Sequence, residues 1–559
     1  MQVIELKING RSVLAEEGET ILEVARKNCV EIPALCYLED LSPWGACRLC
    51  MVELKGDIVA ACSTQACNGM EVETDSLRVR ELRRRIIEML VSYHKCDVCK
   101  RIGKCELEHL ARKHGIAVGE WVKEERKDSS SPSIEMDLAN GILCGKCVRV
   151  CEERQTVGAL CVGGRGSWSK VSTAFEMPVS ETACVDCGQC SLECPTGAIS
   201  EKSCEKEVED ALGSGKHMIV QAAPSIRVAI AEEFGFPPGT LSTKKMAAAL
   251  RRMGFAKVFD TDFGADFTTV EEAHEFLEKL AQRKTPLFTS CCPAWVSFIE
   301  KFYPHLIERV SSTKSPMEIF GTLAKTYYAK KMKLDPKQII VVMIAPCTAK
   351  KHEAERKEMK IDGMKAVDFV LTTRELGRML KRRGIDWNLL PEEEFDSPLG
   401  ESSGAAAVYG ASGGVAEALL RTVSYIAGGD CGMEFQPLRG VNGIKEATVQ
   451  LMGREARVVV AQTLGNARII LDEFLEGKRS IDLLEVMACP GGCLGGGGQP
   501  IPTNKEIRLK RAQALYEQDR LLPVRKAHEN PALKRVYWEF LGEQFGKKSK
   551  ELLHVERKR

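Results

Sequence analysis

Apolar and polar positions along the 559-residue chain fall into two textures. From about residue 215, apolar strand-like runs alternate with amphipathic helical stretches: MIVQAAP, AKVFDTD, TPLFTS, IIVVMIAP, VDFVLTT, RVVVAQT and DLLEVMA. That alternation predicts an α/β domain with a largely parallel sheet. Ligands of such sheets bind outside the carboxyl ends of the strands. Ala223-Pro224, Cys291-Cys292, Cys347 and Cys489 each follow such a run, so four strand ends are expected to meet at one site. The start of the chain reads differently. VIELKINGRSVL is two alternating runs joined by Asn9-Gly10, a strong hairpin signal, and ETILEVARKN has helical spacing through Ile21, Val24 and Ala25.

The pattern divides the chain into six stretches. Residues 1–78 are read as a small α+β ferredoxin-like domain and 79–122 as a charged helix leading into a second cysteine group. Residues 123–137 (KEERKDSSSPSIEMD) read as a polar linker, and 138–210 as a third cysteine-rich block. The α/β domain takes 211–505. A helical, basic tail, 506–559, carries no chemistry visible in its pattern.

Composition narrows the function. Apolar residues make up 44% and charged residues 28%, and 79 basic against 78 acidic side chains leave a net charge of +1. That balance gives no electrostatic case for nucleic acid or an acidic membrane surface. The longest apolar run, Ile339–Ala345, is far short of the roughly 20 residues of a membrane span. MQVIELKING lacks the layout of a signal peptide, so a cytoplasmic location is expected. Of 24 cysteines, eighteen precede residue 205, one is at 431 and five fall in three C-terminal motifs. In a reducing compartment such clustering points to metal ligation or catalysis rather than crosslinking.

Cys36, Cys47, Cys50 and Cys62 suit a [2Fe-2S] centre; zinc is the alternative, and the hairpin-helix lead-in favours iron. Cys29 and Cys67 are expected to be buried small hydrophobes. His94, Cys96, Cys99 and Cys105 could hold zinc or a [4Fe-4S] cube with an imidazole corner, which would raise its potential by removing a negative charge. His109 is a conceivable substitute for His94. The third block resembles a two-cluster bacterial ferredoxin, in which the fourth cysteine of each run serves the other cluster. Cys151, Cys184, Cys187 and Cys190 then make one full cube. Cys144, Cys147 and Cys194 make a site with only three thiolates, because Gly141 stands at the fourth position. That site could be a [3Fe-4S] cluster, a cube with an oxygen or solvent ligand, or a cube completed by Cys161, Cys204 or Asp137.

Three further motifs are TSCCPAW at 289–295, APCTAKK at 345–351 and EVMACPGGCLGGGGQP at 485–500. Four of their five cysteines, Cys292, Cys347, Cys489 and Cys493, from three distant segments, suit another [4Fe-4S] cube. Together the motifs resemble the three signatures of [FeFe]-hydrogenases, multi-cluster type, whose N-terminal third also resembles an iron-sulfur subunit of respiratory complex I. The resemblance covers essentially the whole chain. It implies an H-cluster, in which Cys493 also bridges the cube to a diiron unit carrying carbon monoxide and cyanide. With the [2Fe-2S] centre it implies about three further [4Fe-4S] clusters. Ala223, Pro224, Ser225, Met317, Ala345 and Met487 are implied as neighbours of the diiron unit, and Lys350 and Ser225 as cyanide donors. Cys291 points away from its neighbour Cys292 in extended chain and is implied as the proton-carrying thiol. Glu272, Ser311 and Glu275 match the family's relay, the two glutamates sharing a helix face.

Two positions depart from the family pattern: Ala345 replaces a methionine, and Met317 replaces a glutamine in SPME (315–318). Met317 is expected to refill the volume vacated at Ala345. The expected activity is reversible oxidation of dihydrogen, with electrons relayed to flavin- and NAD(P)-handling subunits or a formate dehydrogenase, or to ferredoxin, in a hetero-oligomer. The chain has no dinucleotide-binding glycine motif in a strand-helix context. A hydrogen sensor and a purely electron-transferring subunit are the rival readings. The first is disfavoured by Cys291, the second by TSCCPAW and ACPGGC.

Overall fold

The computed structural model describes residues 3–92, 94, 104–117, 127–429 and 432–557. It divides into two compact units, one of Met1–Arg154, Gly158–Cys184 and Gln189–Ser200, the other of Gln155–Val157, Val185–Gly188 and Glu201–Arg559.

In the first unit, β1 (Val3–Ile8) and β2 (Arg11–Glu16) form the expected hairpin. Asn9 and Gly10 both take positive φ (51° and 75°), as a two-residue turn of the right twist requires. The helix Ile21–Lys27 starts at a capping box between Thr20 and Glu23 and buries Ile21, Leu22, Val24 and Ala25. With β3 (Met51–Leu54), β4 (Asp57–Ala60) and β5 (Glu71–Glu73) the sheet runs β2-β1-β5-β3-β4. The cysteine-bearing loops are cross-braced by buried guanidiniums. Arg83 donates to the carbonyls of Leu49, Met51 and Thr74 at 3.2–3.3 Å, and Arg149 to those of Cys36 and Ser42.

The stretch read as a linker is partly sheet. β6 (Lys127–Asp128) pairs with β7 (Ile134–Asp137), and the Ser/Pro run is the turn between them. Ser131 Oγ accepts from the amides of Ser133 and Ile134, while Ile134 and Met136 alternate into the core. β8 (Cys161–Gly163) and β9 (Lys170–Ser172) make a short ribbon, and β10 (Ile199–Glu201) adds to β7.

The second unit carries two four-stranded sheets. β11 (His217–Ala222), β12 (Lys257–Asp260), β14 (Ile339–Ala345) and β15 (Phe369–Thr372) run parallel in the order β12-β11-β14-β15; β13 (Leu287–Phe288), β16 (Ile444–Leu451), β17 (Arg454–Gln462) and β18 (Leu483–Met487) lie in the order β13-β18-β17-β16. Each of the seven apolar runs is a strand. β16 is additional and antiparallel, its alternating polar face (Glu446, Thr448, Gln450) having hidden it. The registers Ala222↔Ile344, Ala345↔Thr372 and Gln462↔Met487 bring the carboxyl ends level. The long helix Thr261–Ala281 is buried along most of its length. Gly264 lets it press against the helix Pro316–Leu323, because a Cβ there would stand 2.2 Å from the Pro316 carbonyl.

The main stretch of the second unit begins at Glu201, and within it Cys204 Sγ bonds the Val370 carbonyl at 3.0 Å. The C-terminal stretch is no independent tail. Leu533, Val536, Leu541 and Leu553 join the same apolar core as the strands, and buried Arg511 donates to the Leu494 carbonyl at 2.7 Å. Among the described residues no helix is long and apolar enough to cross a membrane.

Candidate active site at the strand ends

Four cysteines of the second unit sit where strands stop. Cys292 caps the helix Pro293–Phe302, Cys347 joins β14 to the helix Ala349–Glu355, Cys489 follows β18, and Cys493 opens the turn Cys493–Gly495. Burial pushes all four thiols up, Cys347 to about 12; Cys347, Cys489 and Cys493 are raised further by others of the set, whereas backbone amides and Lys350 draw Cys292 back. Cys489 is raised by Cys347, Cys292, Cys187 and Cys493 together. Thiols gathered in a dry site, unable to ionise alone, fit a multinuclear cation, which supplies the positive charge that lets them ionise.

The glycine run clears the approach. A Cβ at Gly495 would stand 2.1 Å from the Pro490 carbonyl, at Gly496 2.5 Å from the Pro346 carbonyl, and at Gly497 2.8 Å from the Cys187 carbonyl. The loop Val185–Gly188, bearing Cys187, is thus pressed on the run, and the Thr348 hydroxyl fixes it by donating to the Asp186 carbonyl at 2.8 Å.

Ala223 begins the turn after β11, its amide on the Ile344 carbonyl at 2.9 Å. Ser225 is fully buried and, among the described residues, its hydroxyl has no partner, a cost of about 1–3 kcal/mol unless another group accepts from it. Lys350 is buried, with Nζ 3.2 Å from the Cys291 carbonyl and 2.6 Å from Glu353. Burial works against its charge, but Glu353 outweighs it and the pKa rises, so the ammonium persists. An unpartnered hydroxyl and a buried ammonium beside four cysteines suit anionic ligands on a metal unit. Met317, Ala345, Met487 and Cys291 lie in one apolar cluster, and the Met317 carbonyl accepts from Gln221.

A polar file leads outward from Cys291. Burial, with Glu272 and Cys292 next, pushes the Cys291 thiol well up, so it rests protonated. Glu272 is fully buried; burial and then Glu275 push it up to about 8. It accepts from the Ser290 amide at 3.2 Å, and that amide and the nearby Ser311 hydroxyl favour its ionised form without offsetting the burial. Ser311 donates to Glu275 at 2.8 Å. Glu275 also accepts from Ser312 and pairs with Lys279 at 3.2 Å. Ser312 Oγ lies 2.8 Å from His554 Nδ1, whose Nε2 lies 2.9 Å from Glu271. Glu275, Lys279, Ser312 and His554 line a cavity of about 430 Å³.

Sequence reasoning missed several of these groups. Glu353 stands one turn from Lys350, a spacing that could have revealed it. Glu318, next to Met317, is fully buried and, among the described residues, neither carboxylate oxygen is hydrogen-bonded; burial, then Glu353, pushes its pKa well above the usual range. Ser312 and His554 meet across 242 residues, and no local pattern signals that.

In the first unit, Cys36, Cys47, Cys50 and Cys62 are buried neighbours that shift one another's ionisation. His94 is buried, with Nε2 3.6 Å from Cys105 Sγ, and burial lowers its pKa toward the neutral, ligating form. His109, the alternative, is exposed. Cys96 and Cys99 lie outside the described residues. Cys144, Cys147 and Cys194 line a cavity of about 290 Å³ together with Gly141. Cys151, Cys184 and Cys190 belong to this unit, Cys187 to the other. Cys29 and Cys67 are exposed, not buried; Cys29 follows a helix end in a left-handed conformation (φ 57°) that turns it away from the core.

Comparison with known proteins follows the same division. Residues 216–497 match the model of the iron-only hydrogenase large subunit, C-terminal domain, and 505–556 that of the iron hydrogenase small subunit. Residues 1–76 match a 2Fe-2S iron-sulfur cluster binding domain and 125–198 a 4Fe-4S dicluster domain. The chain is 43% identical over 579 residues to the NADP-reducing hydrogenase subunit HndD of Solidesulfovibrio fructosivorans, and 39% over 569 to iron hydrogenase 1 of Clostridium pasteurianum, with 99% of every chain covered. A solved structure of a variant of [FeFe]-hydrogenase HydA1 from Chlamydomonas reinhardtii superposes with a TM-score of 0.58 at 38% identity, covering 63% of this chain and 98% of that one.

Proposed function

The chain belongs to the iron-only hydrogenase family, and on that premise we propose how its own residues serve the reversible oxidation of dihydrogen. It is an oxidoreductase with N-terminal [2Fe-2S] and [4Fe-4S] domains and an H-cluster domain. Cys292, Cys347, Cys489 and Cys493 would hold the H-cluster through their four thiolates. Once bound, that group supplies the heterolytic splitting and formation of dihydrogen. Lys350, kept charged by Glu353, and Ser225 orient it as donors to its anionic ligands. Met317, Ala345 and Met487 keep the surroundings dry.

The observation that carries the reading is the buried file from Cys291 through Glu272, Ser311 and Glu275. A protonated thiol at the inner end can hand a proton inward or take one back, which is general acid-base work. Glu272, pushed up to about 8, holds a proton without charge in a dry site. Ser311 passes it to Glu275, where Lys279 and the outer cavity begin. Electrons pass by the loop bearing Cys187, whose backbone touches the glycine run. The first unit holds the rest of the wire, a [2Fe-2S] centre and about three [4Fe-4S] clusters including the His94 site. One relative is named as a subunit of an NADP-reducing hydrogenase, which supports flavin- or NAD(P)-handling partner subunits, and the clustered cysteines fit a reducing, cytoplasmic setting. A formate dehydrogenase or ferredoxin would serve the same electrons.

Cys291→Ser tests the file. Turnover is expected to fall roughly 10²–10⁴-fold, with the iron content unchanged. Turnover within twofold of the parent would remove Cys291 from the path.

A further inference from the structure

The third cysteine block has a chemical oddity at Gly141. Cys144, Cys147 and Cys194 line one cavity of about 290 Å³, and its wall at the fourth corner is a glycine. The backbone does not demand that glycine. Gly141 has φ −80° and ψ 135°, open to any residue, and a Cβ there would meet only the Leu138 carbonyl at 3.2 Å and Ala198 Cβ at 3.9 Å. A cysteine could stand at 141 with a shift of a few tenths of an ångström.

Among the described residues, the other candidates for that corner, Asp137, Cys161 and Cys204, are absent from the cavity lining. Asp137 caps the turn that precedes Gly141, accepting from the Ala139 amide at 3.3 Å and Asn140 Nδ2 at 3.1 Å. Cys161 is exposed on β8. Cys204 belongs to the second unit, where it bonds the Val370 carbonyl and lies 3.4 Å from Lys351 Nζ. Thr196, on the wall, donates to the Asn140 carbonyl at 2.9 Å. Ser169 is the remaining hydroxyl on the wall. The rim is open: Trp168 is 76% exposed and Leu143 39%.

We propose that Cys144, Cys147 and Cys194 hold a site-differentiated cluster whose fourth iron has no protein ligand and takes a small monodentate anion from solution, solvent-derived hydroxide or a low-molecular-weight thiolate. This rests on the reading of the block as a two-cluster site. Three thiolates hold the iron core; the fourth iron is both exchangeable and removable. One-electron oxidation by ferricyanide converts the 2+ four-iron core into a 1+ three-iron core, one Fe²⁺ and one electron, which reduces ferricyanide to ferrocyanide. Ferrous iron with one electron from dithionite reverses it.

The test is low-temperature electron paramagnetic resonance of the anaerobically matured full chain. Ferricyanide is expected to produce a three-iron signal that ferrous iron and dithionite remove. In the reduced protein, ¹⁷O-enriched water is expected to broaden one cluster signal, and 2-mercaptoethanol to shift the same signal. Gly141→Cys should abolish all three responses, and Ser169→Ala should leave them intact. No three-iron signal and no response to either probe in the parent chain would overturn the proposal, as would loss of the responses in Ser169→Ala, which would make Ser169 the ligand. If Gly141→Cys does not fold, the parent and Ser169→Ala spectra decide it. Infrared bands of a diiron unit are independent of these outcomes. An ordinary cube at this site with those bands present removes the inference and leaves the hydrogenase standing.

Discussion

The two units hold cysteine sites by different means. In the first, strands are two to six residues long. Its cysteine loops hang on buried arginines, Arg83 and Arg149 on loop carbonyls and Arg154 on Asp40 and Glu193. In the second, β14 has seven residues and β17 nine, and the cysteines emerge from strand ends backed by a continuous apolar core. An apolar core is stable whether or not a ligand is present. A guanidinium brace fixes carbonyls but buries little, so its site depends on what the thiols hold. The first unit also has an apolar core around Leu22, Val52 and Cys62, and Arg374 and Arg511 brace loop carbonyls of the second, so the difference is one of degree: clusters are expected to supply a larger share of the first unit's stability.

The largest expected effect follows from that contrast. Iron chelation under anaerobic conditions should collapse amide hydrogen-exchange protection across β1–β10 while β11, β14, β17 and β18 stay protected. Equal loss in both units would erase the distinction.

Next comes Glu272→Gln, which should lower turnover roughly 10²–10⁴-fold. It has a second readout. The folded pKa of Glu272 is about 8 against an ordinary 4.5, so between those values the folded state binds more protons than the unfolded one. The unfolding free energy therefore falls as pH rises through that window, the reverse of a salt-bridged carboxylate. Chemical denaturation should show the second unit weaker at pH 9 than at pH 6, and Glu272→Gln should flatten the slope. An unchanged slope would mean that Glu272 is ionised in the fold.

The smallest effect belongs to the outer end. His554→Asn breaks one branch while Lys279 and the cavity remain, so turnover should fall less than tenfold. A loss as deep as that of Glu272→Gln would make His554 an obligatory step.

The sequence exposed what is periodic or chemically spaced. Seven strands stood out as apolar runs, and the cysteine motifs as fixed spacings. β16 escaped because its outer face is polar, and β6–β7 because a serine-rich turn resembles a linker. Cys29 was misjudged because its burial depends on one left-handed residue after a helix. Glu318, Ser312 and His554 act through contacts between distant segments, which leave no local trace. The carboxylates of the relay were legible only through family resemblance, since their own pattern is that of a solvated helix face.

The central claim is that strand ends carrying Cys292, Cys347, Cys489 and Cys493 hold a diiron unit with carbon monoxide and cyanide ligands beside a protonated Cys291. Infrared spectroscopy of the anaerobically matured chain, under dihydrogen and then carbon monoxide, measures it most directly. Bands of bound cyanide and carbon monoxide that shift under dihydrogen, and a new carbonyl band on adding carbon monoxide, are the expected result. A fully iron-loaded protein with no such bands under either gas would contradict the account.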